Sequence, residues 1–116
     1  MHEKSVGLLN KAVADELSAV HQYMYFHFHL DDQGYDLLSS MFRRIAIVEM
    51  THIELLAERI LFLKGEVEMT ASEPVQKLHD VQDMLKRAIK MEEDAVLNYN
   101  RWANESAANA DSVTKK

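Results

Sequence analysis

The feature that most constrains the fold of this chain is the scarcity and placement of residues that break helices. Its 116 residues include only three glycines and one proline. Leucine, alanine, glutamate, lysine and methionine are frequent, and these residues favour helices over strands. Gly34, Gly65 and Pro74 therefore separate long segments that we expect to be helical.

Three segments carry the apolar period of a helix. We predict three helices, which run from about Lys4 to Leu30, from about Tyr35 to Lys64, and from Asp80 to about Ser106. Residues 31–34, Asp-Asp-Gln-Gly, have the composition of a turn, and Gly65 is typical of a helix stop. Asp80, with Asp83 three residues later, is predicted to cap the third helix.

The connections between these helices indicate the topology. A four-residue turn makes the first two helices an antiparallel hairpin. The next connection, residues 66–79, reaches roughly 46–50 Å when extended, whereas a 28-residue helix is about 42 Å long. It can therefore run the length of a bundle, as in ferritin-like four-helix bundles with one long crossover. The alternative is a disordered linker.

The predicted fold is all-α, an antiparallel ferritin-like four-helix bundle in a single domain over residues 1–116. The chain contains the first three helices of that bundle. A fourth is expected to begin near Asn109 or Asp111, but the sequence continues for only five residues after Asp111.

Composition excludes several classes of function. The net charge of −6 disfavours nucleic acid as a partner and is compatible with binding cations. The absence of cysteine excludes disulfides and thiolate metal sites, and it suits a cytoplasmic protein. No apolar run approaches the roughly 20 residues of a membrane-spanning helix, so we expect no membrane partner.

Each predicted helix places one glutamate on an otherwise apolar face. The neighbours of Glu16 and Glu92 one and two turns away are all apolar or aromatic. Glu49 has the same setting except for His52, one turn later on the same side of the helix. Glu54 is a weaker rival on the second helix, whereas Glu93 has lysines on its face and is predicted to be solvated.

Buried carboxylates need protonation or a cationic partner. No lysine or arginine shares a face with Glu16 or Glu92 within one turn. Carboxylate oxygens and an imidazole nitrogen suit iron or manganese. Each of these residues alone is more often structural, and a single Glu-x-x-His arises easily by chance. Together, Glu16, Glu49, His52 and Glu92 predict a metal site between the helices.

At these residues the chain resembles the bacterioferritins, over essentially its whole length. The similarity is carried by three segments: LNKAVADELSAVHQY (9–23), VEMTHIELLAERILFLKG (48–65) and MEEDAVLNY (91–99). The second is the most specific, because the family's E-M-x-H followed by E-R-I-L-F-L-x-G is almost intact.

The resemblance implies roles for these residues at a di-iron centre. Glu16 would be a terminal ligand of one iron, which His52 would also bind. Glu49 would bridge the two irons, and Glu92 would be the terminal ligand of the second. Tyr23 would lie near the metals as a hydrogen-bonding or redox-active residue, or it would simply pack in the core with its hydroxyl satisfied.

The resemblance also implies haem. In bacterioferritins the methionine at the position of Met50 is the axial haem ligand, one from each subunit of a two-fold dimer. Ala46, Met50, Ile53 and Ala57 form a predicted second apolar stripe on the second helix, which is consistent with a subunit interface. The alternative is that Met50 only packs in that interface.

One departure from the family concerns the missing ligands. The family has a second Glu-x-x-His on its fourth helix, and this sequence has none. Asp111-Ser112-Val113 resembles the beginning of that helix, so the simplest interpretation is an incomplete sequence. The alternative is that two chains face each other and complete the site with Glu16, Glu49 and His52 from both.

The expected function is that of an iron-storage ferroxidase. It would oxidise Fe(II) with O2 or peroxide and pass Fe(III) into a cage, for which the family implies 24 subunits. One alternative is another di-iron carboxylate protein, such as a rubrerythrin-like peroxidase or a miniferritin. The other is an inert helical assembly with an incomplete metal site.

Overall fold

The computed structural model describes residues 2–108, apart from the side chains of 102, 103 and 105–108. It contains three helices and no strand in that range: α1 (Glu3–Gln33), α2 (Asp36–Phe62) and α3 (Val81–Ala108). The all-α prediction and its three helices are confirmed. The expected start of a fourth helix near Asn109 or Asp111 lies outside the described residues. Within the described range, none of the helices has the length and apolarity to cross a membrane.

The turn between α1 and α2 is shorter than predicted. Residues 31–33 belong to α1, and only Gly34 and Tyr35 separate the helices. Gly34 has φ 88°, and its N–H donates to the carbonyl of Asp31, while the N–H of Tyr35 donates to that of Leu30. One glycine in the left-handed region is enough to end a helix in this way, so the acidic residues before it stay helical.

Gly65 follows the end of α2 but does not end it by a left-handed conformation. The helix ends at Phe62, and Lys64 takes the positive φ of 66°. A Cβ at Gly65 would lie 2.6 and 2.7 Å from the two γ carbons of Val6. Glycine is therefore needed here because the chain passes directly against the first turns of α1.

The core lies mainly between α1 and α2. Of its two main clusters of buried residues, the larger is centred on aromatic residues, and the smaller is aliphatic and lies towards the start of α1. The buried members of the larger are Ala19, Tyr23, Phe26, Leu30, Phe42, Ala46 and Met84. Those of the smaller are Leu9, Val13, Ile53, Ile60 and Leu63.

The predicted second apolar stripe on α2 is wrong in its composition. Ala46 is fully buried in the core, and Ile53 is 9% exposed. Only Met50 of the stripe faces largely outward, with half of its surface exposed. On α2 the buried and the outward-facing positions are separated by only a small rotation about the helix axis. The sequence determines that rotation only roughly, so Ala46 and Ile53 were predicted to face outward although they are buried. Other apolar residues do lie exposed on α2: Ile47, Val48, Leu55, Leu61 and Phe62.

The crossover between α2 and α3 is extended and is held by buried polar side chains of α1. The Asn10 amide donates to the carbonyl of Glu66 (2.9 Å) and accepts from the N–H of Glu68 (3.0 Å). The Gln22 amide pairs in the same way with both backbone groups of Gln76, at 2.9 and 2.8 Å.

A third anchor lies between these two. The Ser18 hydroxyl accepts hydrogen bonds from the N–H groups of Ser72 (2.9 Å) and Glu73 (3.1 Å). Because the three side chains satisfy backbone groups that a loop over a helix would otherwise leave unpaired, the alternative of a disordered linker is wrong.

The third helix begins as predicted. The N–H of Asp83 donates to the Asp80 carboxylate (3.2 Å), so Asp80 caps the first turn. Met84 then enters the core fully buried, and Leu85, Ala88 and Met91 pack against it in part. This contact places the middle of α3 beside α1, with Glu92 close to the level of Tyr23.

Candidate metal centre

Three of the predicted site residues converge between α1 and α2. Glu16, Glu49 and His52 each offer one donor atom, and these atoms lie within 4.8 Å of one another. The Nδ1 atom of His52 is 3.2 Å from Oε2 of Glu16 and 3.9 Å from Oε1 of Glu49. Glu49 and His52 share one side of α2 because they are three residues apart, and Glu16 meets them from the opposing helix.

The two carboxyl groups of this cluster lie in a poorly hydrated setting. Glu16 is only 5% exposed, and burial raises the pKa of its carboxyl above the ordinary 4.5. Burial, a hydrogen bond that the protonated Glu49 donates to Glu16, and the charges of Glu16 and Glu92 raise the pKa of Glu49 to about 8. Without a cation, the cluster therefore holds a proton between Glu16 and Glu49 at neutral pH.

Glu92 is placed on α3, outside the three-residue cluster but beside it. Its Oε1 atom accepts a 2.6 Å hydrogen bond from the hydroxyl of Tyr23. It lines the same cavity of about 300 Å³ as Glu16 and Glu49. A second cavity of about 450 Å³, between α2 and α3, also has Glu49 and Glu92 in its wall. The carboxylates of all three helices thus border one space.

Sequence reasoning missed two further polar residues of α3. The hydroxyl of Tyr99 lies 3.4 Å from Oε1 of Glu16, to which it donates. Asn98 donates to Asp15 over 3.3 Å. Burial and the charges of Glu16 and Glu49 raise the pKa of Tyr99 to about 12, so its hydroxyl stays protonated at neutral pH. The sequence does contain a signal for Tyr99. It lies seven residues after Glu92, just as Tyr23 lies seven residues after Glu16.

The other two residues singled out from the sequence lie apart from the cluster. Met50 is on the outer side of α2 and half exposed, so its thioether faces away from the carboxylates. Glu54 is also exposed and joins no donor group among the residues the structure describes. The structure of α2 thus places Glu49 in the cluster and leaves Glu54 exposed.

The donor set fits a divalent transition metal. Two carboxylates and one imidazole are ligands that iron or manganese accepts, and thiolate-seeking metals have no cysteine to bind. A cation would replace the proton that Glu16 and Glu49 share, and so would remove the cost of burying them. Glu92 could hold a second ion across the cavity, with Glu49 between the two.

Comparison with known proteins agrees with this geometry. The ferritin-like domain family matches residues 6–116. The bacterioferritin of Desulfovibrio desulfuricans is 52% identical over 63 residues, which cover 54% of this chain and 35% of the relative. The bacterioferritin of Rhodobacter capsulatus is 31% identical over 113 residues, covering 97% of this chain and 70% of the relative. The aligned parts of the chain thus cover between about a third and 70% of the length of these relatives.

Solved structures of the same two proteins have the same fold. The D. desulfuricans bacterioferritin, described with a di-iron site in different catalytic states, has a TM-score of 0.93 at 36% identity. The R. capsulatus bacterioferritin, described with a metal-free dinuclear site and haem iron, has a TM-score of 0.91 at 28% identity. Each match covers 97% of this chain, and 66% and 70% of the respective structures. The chain belongs to the ferritin-like family, among the bacterioferritins.

Proposed function

We propose that this chain carries much of the iron-oxidising centre of an iron-storage ferroxidase. The observation that carries the proposal is the convergence of Glu16, Glu49 and His52 inside an apolar helical pair, with Glu92 on the wall of the adjoining cavity. Fe(II) is the substrate. Glu16 and His52 would bind one ion, Glu92 would bind the other, and Glu49 would bridge them, as in the bacterioferritins that the chain resembles.

The chemistry requires little beyond electron transfer. Two Fe(II) ions each lose one electron to become Fe(III), and O2 takes both electrons with two protons to give hydrogen peroxide; peroxide itself can serve as the oxidant and give water. The buried carboxylates stabilise the higher charge of Fe(III), more strongly than they would in water. Glu49 must release its proton before it can bind, so ion binding and proton release are coupled.

The test is iron-dependent oxygen consumption by Glu49→Ala, with Glu54→Ala as the matched control. Both changes remove a carboxylate from α2, but only Glu49 faces the cluster. We expect Glu49→Ala to abolish rapid oxidation and Glu54→Ala to leave it intact, with both proteins retaining their helical circular dichroism. Unchanged oxidation in Glu49→Ala would contradict the site assignment.

We further propose that Met50 is an axial haem ligand between two subunits. Its support is the outward, half-exposed position of the side chain on α2, among other exposed apolar residues, together with the haem iron described for the R. capsulatus relative. A Met50→Leu variant should lose Soret absorption. Retained absorption would rule out the axial role.

We also propose that the chain is a single cytoplasmic domain. It would associate as two-fold dimers and then as a 24-subunit cage, in which Fe(III) is stored as mineral. Size-exclusion chromatography with light scattering measures the assembled mass, and a monomer would contradict this part.

A further inference from the structure

The two helices that supply Glu16 and Glu92 repeat one pattern. Glu16 is followed by Tyr23 on α1, and Glu92 is followed by Tyr99 on α3, each seven residues later. Seven residues are about two turns, so each tyrosine lies on the same side of its helix as its glutamate. Burial of apolar surface alone does not explain why both positions are tyrosine.

The antiparallel packing of α1 and α3 turns this repeat into a reciprocal contact. Tyr23 donates to Glu92 over 2.6 Å, and Tyr99 donates to Glu16 over 3.4 Å. Moving seven residues back along α1 corresponds to moving seven residues forward along α3. Each tyrosine therefore reaches the glutamate of the other helix.

The two oxygens of Glu16 have different neighbours. Oε2 lies beside Nδ1 of His52, at 3.2 Å, whereas Oε1 accepts from the Tyr99 hydroxyl over 3.4 Å. A donor on Oε1 restricts rotation of the carboxylate and keeps Oε2 directed at His52 and Glu49. Outer partners of this kind orient metal ligands and influence metal affinity.

We propose that Tyr99 is a positioning residue for Glu16, in the way that Tyr23 positions Glu92. The two tyrosines differ in their second role. Tyr23 is buried and packs on Phe42, with ring centroids 5.6 Å apart, so it also belongs to the core. Tyr99 is 44% exposed, so its ring is less buried than that of Tyr23 and contributes less to the stability of the core. This inference rests on the proposed function.

The test is an anaerobic titration of the metal-free protein with Co(II), followed by its visible absorption. The variants are Tyr99→Phe and the matched control Tyr25→Phe, which removes a hydroxyl that bonds to His79 (2.8 Å), outside the cluster. We expect Tyr99→Phe to weaken Co(II) binding about 10-fold and to alter the absorption bands of the ion held by Glu16. Tyr25→Phe should bind Co(II) as the parent protein does, and neither change should alter the helical circular dichroism.

A double variant separates positioning from a general structural effect. If Tyr99 acts through Glu16, adding Tyr99→Phe to Glu16→Gln should cause no further loss of Co(II) affinity. An additive loss, or an unchanged affinity in Tyr99→Phe alone, would overturn the inference while leaving the proposed function standing. If the parent protein bound no Co(II), the proposed function itself would fail.

Discussion

The two sides of α1 are packed in opposite ways. Towards α2, apart from the site where Glu16 meets Glu49 and His52, the contact is apolar. The rings of Phe26 and Phe42 are buried there with their centroids 5.4 Å apart. Towards α3, beyond the buried Met84, the contacts are polar: Tyr23 with Glu92, Glu16 with Tyr99, and Asp15 with Asn98.

The difference separates stability from chemistry. Apolar burial on the α2 side stabilises the fold whatever the site contains. The carboxyl groups beside α3 cost free energy until a cation or proton compensates them, and the exposed apolar residues Ile89, Val96 and Leu97 of α3 contribute little. Removal of apolar surface on the first side should therefore destabilise the fold, whereas removal of a carboxyl group should weaken cation binding and can stabilise the metal-free protein.

The prediction with the largest expected effect concerns the apolar contact between α1 and α2. Phe26→Ala removes a ring that is 0% exposed, and Phe28→Ala removes one that is 60% exposed on the same helix. Loss of a buried Phe costs about 3–5 kcal/mol in the free energy of unfolding, through lost transfer and the cavity left behind. Urea denaturation of the metal-free protein measures both variants. A similar loss in Phe28→Ala would show that the α1–α2 contact does not dominate stability.

A second prediction tests how tightly the end of that hairpin is packed. Gly65→Ala places a Cβ 2.6 Å from Val6, so the chain must shift at a cost of about 1–3 kcal/mol. Adding Val6→Ala removes the clashing γ carbons and should recover part of that loss in a double-mutant cycle. Strictly additive losses would mean that the two residues do not share a contact.

The apolar side was also the part that the sequence predicted well. Helical periodicity located three helices, because apolar residues recur along each of them at the spacing of one face. Periodicity determines the phase of a face only roughly, and this is why Ala46 and Ile53 were assigned outward. The end of α1 was misplaced for a different reason, since acidic residues are common in turns but are also tolerated in the last turn of a long helix.

At the carboxylate cluster a substitution should have the opposite effect and stabilise the metal-free protein. In the metal-free protein the pKa of Glu49 is about 8 rather than 4.5, so between these pH values the folded chain holds a proton that the unfolded chain has released. The free energy of unfolding therefore falls as the pH rises from about 4.5 to about 8. Glu49→Gln removes this titration and should stabilise the metal-free protein at pH 8 by an amount on the order of 1–3 kcal/mol.

The stabilisation should be much smaller at pH 5, where Glu49 is protonated in the folded protein and only partly ionised in the unfolded chain. Glu58→Gln, which removes a carboxylate at an exposed position of the same helix, is the matched control. Thermal unfolding at pH 5 and pH 8 measures both. Equal effects of the two variants at pH 8 would contradict the shift at Glu49.

The sequence indicated which residues form the candidate site better than it indicated what surrounds them. A glutamate on an apolar face is visible in one helix, and so Glu16, Glu49 and Glu92 could be chosen one at a time. The contact of Tyr99 with Glu16 joins residues 83 positions apart in the chain. It depends on the register between α1 and α3, which the sequence of either helix does not contain. The anchoring of the crossover by Asn10, Ser18 and Gln22 depends on a similar long-range register.

The prediction with the smallest expected effect concerns how firmly α3 packs against the rest of the molecule. Asp80→Ala removes the side chain that accepts from the N–H of Asp83, at a cost of about 1 kcal/mol, whereas Asp80→Asn keeps an acceptor and should cost less. Because α3 buries less apolar surface than the α1–α2 hairpin, the loss should appear as local opening. Amide hydrogen exchange in the metal-free protein should therefore accelerate in the first turns of α3 and stay unchanged in α1 and α2. Acceleration of equal size in all three helices would mean that α3 unfolds only with the whole molecule, and that its polar contacts hold it as firmly as the apolar ones hold α2.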